Sequence, residues 1–155
     1  MKVTAKTITS TRSKLFGAVF IVLSSVFGAL FSTSAYAEIT HITNAELAAM
    51  EPGSVTILDL RRPDEWTKSG TIEGSHLVTF FDKRGRYNVQ EWLAKVDAIV
   101  DRDQPIALIC ERGVRSSSVA DLLDKKLGFT QVINVTEGMT DWVKDGRPVE
   151  PWAAE

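Results

Sequence analysis

The chain contains one cysteine, Cys110, at the head of the run Cys110-Glu111-Arg112-Gly113-Val114-Arg115-Ser116. Upstream lies Pro105-Ile106-Ala107-Leu108-Ile109, an unbroken apolar stretch. Downstream of Ser116, apolar residues recur at helical spacing. The cysteine therefore ends a buried strand and precedes a helix. In open α/β sheets, ligands gather at the carboxyl ends of strands, and a helix N-terminus presents unpaired N–H groups that favour an anion. Gly113 permits the positive φ of a tight cradle. Arg112 and Arg115 add positive charge, which Glu111 partly opposes. These surroundings favour the thiolate, the nucleophilic form of cysteine. A lone thiol can also be an inert, buried apolar residue. The conjunction of strand end, glycine, two arginines and helix start points instead to a nucleophile.

Each neighbour then receives an expected role. Loop N–H groups from about Arg112 to Ser116 would stabilise negative charge on sulfur, Gly113 and Val114 among them. Arg112 would attract an anionic substrate. Arg115 would either do the same or pair with Asp59 or another carboxylate to hold the loop. Asp59 and Arg61 are expected to be structural supports, and Ser116 an N-cap. His41 and His76 lie far from the loop in sequence and receive no role. The sequence calls for no metal and no cofactor.

The elements that position these residues follow from periodicity and punctuation. Ile39–Ile42 reads as a short strand. Thr43 and Glu46 form a capping box ahead of a helix over 45–50. Val55–Leu60 is a β-branched apolar strand. Pro63 opens a short helix that Gly70 ends. A strand is expected around Leu77–Phe80, then a polar loop from Asp82 to Arg86. Asn88 and Glu91 form a second capping box opening a helix to about Val100. The Pro105–Cys110 strand precedes a helix beginning at Ser116 and stopping at Gly128. A strand over 131–135 and a short helix over 139–144 close the chain. Strands alternate with helices and are apolar on both faces. That is the pattern of a five-stranded, mostly parallel α/β sheet flanked by helices on both sides.

The first 37 residues differ from the rest. Lys2, Lys6, Arg12 and Lys14 precede an apolar run from Leu15 to Phe31, and Ala35-Tyr36-Ala37 follows. This is the layout of a secretory signal peptide, with cleavage expected after Ala37 and one domain over 38–155. The alternative is an uncleaved inner-membrane anchor, since the run is near the lower length for a span. Either way the domain is expected outside the cytoplasm, in the periplasm. All 20 acidic residues lie after Ala37, whereas four of the 18 basic ones precede it. The domain therefore carries a net charge of −6, which disfavours nucleic acid as a partner. Membrane contact is expected only through the N-terminal segment.

The loop resembles the active-site loop of rhodanese-family sulfurtransferases, Cys-x-x-Gly-x-Arg-Ser or Thr. Asp59-Leu60-Arg61, Glu65-Trp66, Gly70 to Ser75, Glu137-Gly138 with Trp142, and Gly146-Arg147-Pro148-Val149 resemble further landmarks of the family in order. Together they span about residues 40–150. Thr71, Glu73 and Glu137 depart from the family pattern, as does Glu111, whose carboxylate opposes an anionic donor. The resemblance implies a three-layer rhodanese-like fold and a persulfide on Cys110. It also implies a small sulfur-donor anion, such as thiosulfate, and a cyanide or thiol acceptor. Three rivals have sequence tests. Cysteine phosphatases with a related loop place one more residue between Cys and Arg. A thiol–disulfide oxidoreductase would normally show a second cysteine. A non-catalytic binding module of the same fold would not need the cysteine and the arginines.

Overall fold

The computed structural model describes residues 38–154. The expected signal segment lies outside the described residues. Among the described residues no helix is long and apolar enough to cross a membrane.

The elements run β1 (Thr40–Ile42), α1 (Asn44–Ala48), β2 (Thr56–Asp59), α2 (Pro63–Ser69), β3 (His76–Leu77), α3 (Val89–Val96), β4 (Ile106–Ile109), α4 (Val114–Leu127), β5 (Val132–Val135) and α5 (Gly138–Lys144). The strands form one sheet in the order β1-β5-β4-β2-β3. Every pairing in it is parallel. The sheet is thus parallel throughout the described residues.

Strand periodicity builds the two cores. Along β4, Ile106 and Leu108 face one side and join Trp92, Val96, Val119 and Leu123 beneath α3 and α4. Ala107 and Ile109 face the other side, with Leu47, Met139 and Trp142 from α1 and α5. All four β4 residues are fully buried. A strand covered on both faces must be continuously apolar, as 106–109 is. The strand that leads into Cys110 is therefore enclosed on both faces.

Helix ends follow their side chains. The Thr43–Glu46 box is complete, with Thr43 Oγ1 accepting from the Glu46 amide and the Glu46 carboxylate accepting from the Thr43 amide. Asn88 caps α3, but Glu91 extends to Lys95 and does not return to the cap, so this box is half formed. The helix also stops at Val96, a turn before the expected end. Residues 97–100 close a tighter turn through Ile99 N–H to Val96 O, which still buries Val100. β3 is shorter than expected. Trp92 Nε1 donates to Val78 O, and Phe80 turns to pack on Trp92 and Tyr87.

Arg61 is 1 % exposed, and its charge is fully engaged. It contacts both Asp59 carboxylate oxygens, with Nη2 at 2.6 Å. It also donates to Ser69 Oγ and to the Gly70 carbonyl. The pair pins the C-terminal end of α2 beside the end of β2. Removing one partner of a buried ion pair strands the other charge, which costs about 3–5 kcal/mol. Asp59→Ala is therefore expected to lose stability of that order in urea denaturation. A loss under about 1 kcal/mol, the level of an exposed pair, would refute this role for the pair.

Candidate active site

Cys110 follows β4 directly, and the chain then turns sharply into α4. Gly113 makes the turn with φ +77° and stands as the helix N-cap. A Cβ there would sit 1.9 Å from the Thr136 carbonyl oxygen. No other residue fits: the backbone is left-handed and the space is taken.

The loop's carbonyls are held away from the sulfur. Cys110 O accepts the Met139 N–H at 2.8 Å, and Glu111 O accepts the Thr140 N–H at 2.9 Å. Both donors belong to the first turn of α5, whose N–H groups have no partner within their own helix. Gly138 allows this approach. A Cβ on it would lie 2.6 Å from Cys110 O and 2.7 Å from Arg112 N. Gly113 O accepts from the Ser117 amide and from Ser116 Oγ.

With its carbonyls committed elsewhere, the loop leaves its amides free. The N–H groups of Arg112, Gly113, Val114 and Arg115 have no hydrogen-bond acceptor among the described residues. Cys110 Sγ lies 3.5 Å from both the Ser116 amide and the Ser116 hydroxyl. Cys110, Gly113, Val114 and Ser116 thus lie in one turn, and one expectation is corrected. Ser116 is not the N-cap. It occupies the third position of α4, which begins two residues earlier because glycine makes the turn. Its hydroxyl shares one proton between Gly113 O and Sγ.

The arginines separate by role. Arg115 is bidentate on Glu65, Nη1 to Oε2 at 2.9 Å and Nη2 to Oε1 at 2.5 Å, with Glu111 at 3.8 Å. Asp59 is held by Arg61 and is not its partner. Burial alone would raise the Glu65 carboxyl, but the Arg115 hydrogen bond, the Arg62 amide and both guanidinium charges outweigh it. Glu65 therefore titrates below the ordinary value of 4.5. The Glu65 hydrogen bond raises Arg115 further. Arg112 is exposed and has no ion pair among the described residues. Val114 is 73 % exposed at the rim.

Two features ran against or beyond the sequence. Cys110 is 1 % exposed, the degree of burial typical of an inert cysteine. The free amides around it are what an inert cysteine does not need. Sequence reasoning also missed the brace behind the loop. The Glu137 carboxylate accepts the Asn44 amide at 2.7 Å, and Asn44 Nδ2 donates to Gly138 O at 2.9 Å. Asn44 is completely buried. The brace ties the α5 turn to the start of α1, 93 residues away in sequence. Glu137 was visible only as a departure from a glycine. Among the described residues, no cluster of His, Cys, Asp and Glu could hold a metal.

A family model described as rhodanese-like domain matches residues 43–145. The thiosulfate sulfurtransferase GlpE of Actinobacillus pleuropneumoniae is 28% identical over 65% of this chain and 82% of its own. A rhodanese-related protein from Thermoplasma volcanium superposes with TM-score 0.54 at 29% identity, over 73% of this chain and 99% of that one. A Rhodopseudomonas palustris protein of unknown function, described as a possible tyrosine phosphatase, gives TM-score 0.55 at 25% identity, over 72% and 85%.

Two outcomes test this geometry. Gly128 has φ +75° but open space around its missing Cβ, so Gly128→Ala carries only the left-handed backbone cost of about 1–2 kcal/mol. Gly113→Ala adds a collision and is expected to lose more than about 4 kcal/mol, read by thermal or urea unfolding. Equal losses would contradict the close approach to Thr136. The depressed Glu65 carboxyl adds stability that is complete above pH 4.5 and is lost as pH falls through its lower folded value. The wild-type chain should therefore lose more stability than Glu65→Gln on acidification below pH 4.5; parallel pH profiles would disprove it.

Proposed function

The chain belongs to the rhodanese-like domain family, and from that premise we propose that it is a sulfurtransferase working through a Cys110 persulfide. The observation that carries the reading is Cys110 Sγ within 3.5 Å of the Ser116 amide, in a loop whose four preceding amides, Arg112 to Arg115, have no acceptor among the described residues. Oriented N–H groups stabilise charge most when they need not reorganise. The relation to GlpE supports the same chemistry.

The reaction is a double displacement. Cys110 thiolate attacks the outer sulfur of a donor such as thiosulfate. The new S–S bond forms as the donor's own S–S bond breaks, and sulfite leaves with the electron pair. The terminal persulfide sulfur, carrying negative charge, takes the place the amides surround. A thiolate or cyanide then attacks that sulfur, and the electron pair of the broken S–S bond returns to Cys110. Arg112 draws in the donor. Arg115 and Glu65 hold the loop, with Asp59 and Arg61 supporting α2. Glu111 lowers affinity for a doubly charged donor. No cofactor is required, because atoms and electrons balance between donor, cysteine and acceptor.

The setting follows from the N-terminal composition. Residues 1–37 direct export and are removed after Ala37, placing the enzyme in the periplasm; an uncleaved segment would anchor it to the inner membrane.

The covered thiol favours one competing reading, a rhodanese-fold binding module or sulfur-carrier partner. Mass spectrometry of protein expressed from the full chain separates them. After exposure to thiosulfate or mercaptopyruvate, the expected spectrum shows a chain beginning at Glu38 with one added sulfur, about 32 Da. Cys110→Ser should show none. Failure of every sulfane donor to add that mass would favour the module. The four residues between Cys110 and Arg115 suit one sulfur rather than a phosphate, so p-nitrophenyl phosphate should not be hydrolysed in a Cys110-dependent manner.

A further inference from the structure

The segment that braces the catalytic loop is itself held from behind. Residues 136–138 share four hydrogen bonds with the junction of β1 and α1. Thr136 donates to the Ile42 carbonyl through its amide, at 2.9 Å, and through its hydroxyl, at 3.0 Å. The Glu137 carboxylate accepts the Asn44 amide at 2.7 Å, and Asn44 Nδ2 donates to the Gly138 carbonyl at 2.9 Å.

The last of these bonds enters the peptide unit that holds the nucleophile's carbonyl. The Gly138 C=O and the Met139 N–H belong to one rigid, planar unit. No peptide bond among the described residues is cis, so the oxygen of that unit points opposite to its N–H. Asn44 Nδ2 holds the oxygen, while the N–H donates to Cys110 O at 2.8 Å. The Cys110 carbonyl shares its own plane with the Glu111 N–H. Asn44 therefore heads a run of hydrogen bonds that passes through peptide 138–139 to peptide 110–111. Bonds in such a run polarise one another. Asn44 is completely buried, and its Oδ1 has no hydrogen-bond partner among the described residues. Its side chain is thus committed to this run through Nδ2 alone. Neither Asn44 nor Glu137 is a hydrogen-bond partner of Sγ, which meets only Ser116 among the described residues.

We propose that Asn44 is a positioning residue for sulfur transfer. It fixes peptide 138–139, which fixes the Cys110 carbonyl and with it the orientation of the catalytic loop. Glu137 fixes Asn44 in turn by holding its amide. The glutamate that stands where the family pattern has glycine thus belongs to a brace built in this chain. The proposal rests on the sulfurtransferase reading.

Protein expressed from the full chain is assayed for sulfur transfer from thiosulfate or mercaptopyruvate to cyanide, and competent sites are counted by the persulfide mass gain. Asn44→Leu, close in size, should lower kcat per competent site about tenfold and keep KM for the donor within about twofold. Asn44→Asp, isosteric but lacking the Nδ2 donor, should fall at least as far. Glu137→Ala should fall in the same direction. Glu137→Gln keeps an oxygen that accepts the Asn44 N–H and should recover most of that loss. Hydrogen exchange gives a second measure that needs no turnover. The Met139 amide should exchange about tenfold faster in Asn44→Leu, with the amides of β4 unchanged. A merely structural Asn44 would lower the urea midpoint or the number of competent sites and leave kcat per site as in wild type. That pattern, or an unchanged Met139 exchange rate, would overturn the proposal. A wild-type chain that gains no sulfur from either donor would bring down the sulfurtransferase reading instead, and Met139 exchange would still decide whether Asn44 holds the loop.

Discussion

Two backbone carbonyls that point away from a sulfur atom govern this structure. Those of Cys110 and Glu111 are engaged by the amides that open α5. A peptide unit is rigid and planar, so turning a carbonyl to one side of a tight loop turns the following amide to the other. The loop cannot be relaxed piecemeal. Gly113 must be left-handed and must touch Thr136, and Gly138 must touch the loop itself. Both contacts join the β4 loop to the end of β5 and the start of α5. The parallel sheet supplies this proximity, because it places β4 and β5 side by side with their carboxyl ends together.

Around this core, charges are arranged for shape more than for binding. Of two carboxylate–guanidinium pairs, Asp59–Arg61 holds the end of β2 to the end of α2, and Glu65–Arg115 holds α2 to the first turn of α4. A buried pair adds little net stability against an apolar replacement, because desolvation opposes the Coulombic gain. Its contribution is directional. A planar guanidinium held at both forks fixes α2 against the loop. The consequence is that both guanidinium groups are already neutralised. The charged groups left with incomplete pairing are Arg112, Lys68 and Glu111.

The fold was legible in the sequence because its signals are local. The apolar run 106–109, the Thr43–Glu46 box, Pro63 with Gly70, and Gly128 each act within a few residues, and each marks a real boundary. Errors arose where a distant side chain intervened. The end of β3 yields to Trp92, whose indole takes the Val78 carbonyl. The start of α4 moves to Val114 because Gly113 can cap without a side chain. The site was legible as a list and not as a mechanism of support. The cysteine, glycine and arginines are contiguous. The partner of Arg115 lies 50 residues away and the brace through Asn44 lies 93 away. Neither separation has a periodicity, so a pattern search had nothing to read.

The burial of Cys110 looks at first like an argument against use, and its cause argues the opposite. Apolar neighbours bury an inert thiol and leave nothing polar near sulfur. Here the covering atoms include the Ser116 amide and hydroxyl, beside a run of unmatched N–H groups. Donors left without a partner cost free energy to the extent that they are shielded from water, as at buried Gly113. Unmatched donors in the loop that follows the sulfur suit the negative charge that the proposed persulfide would carry.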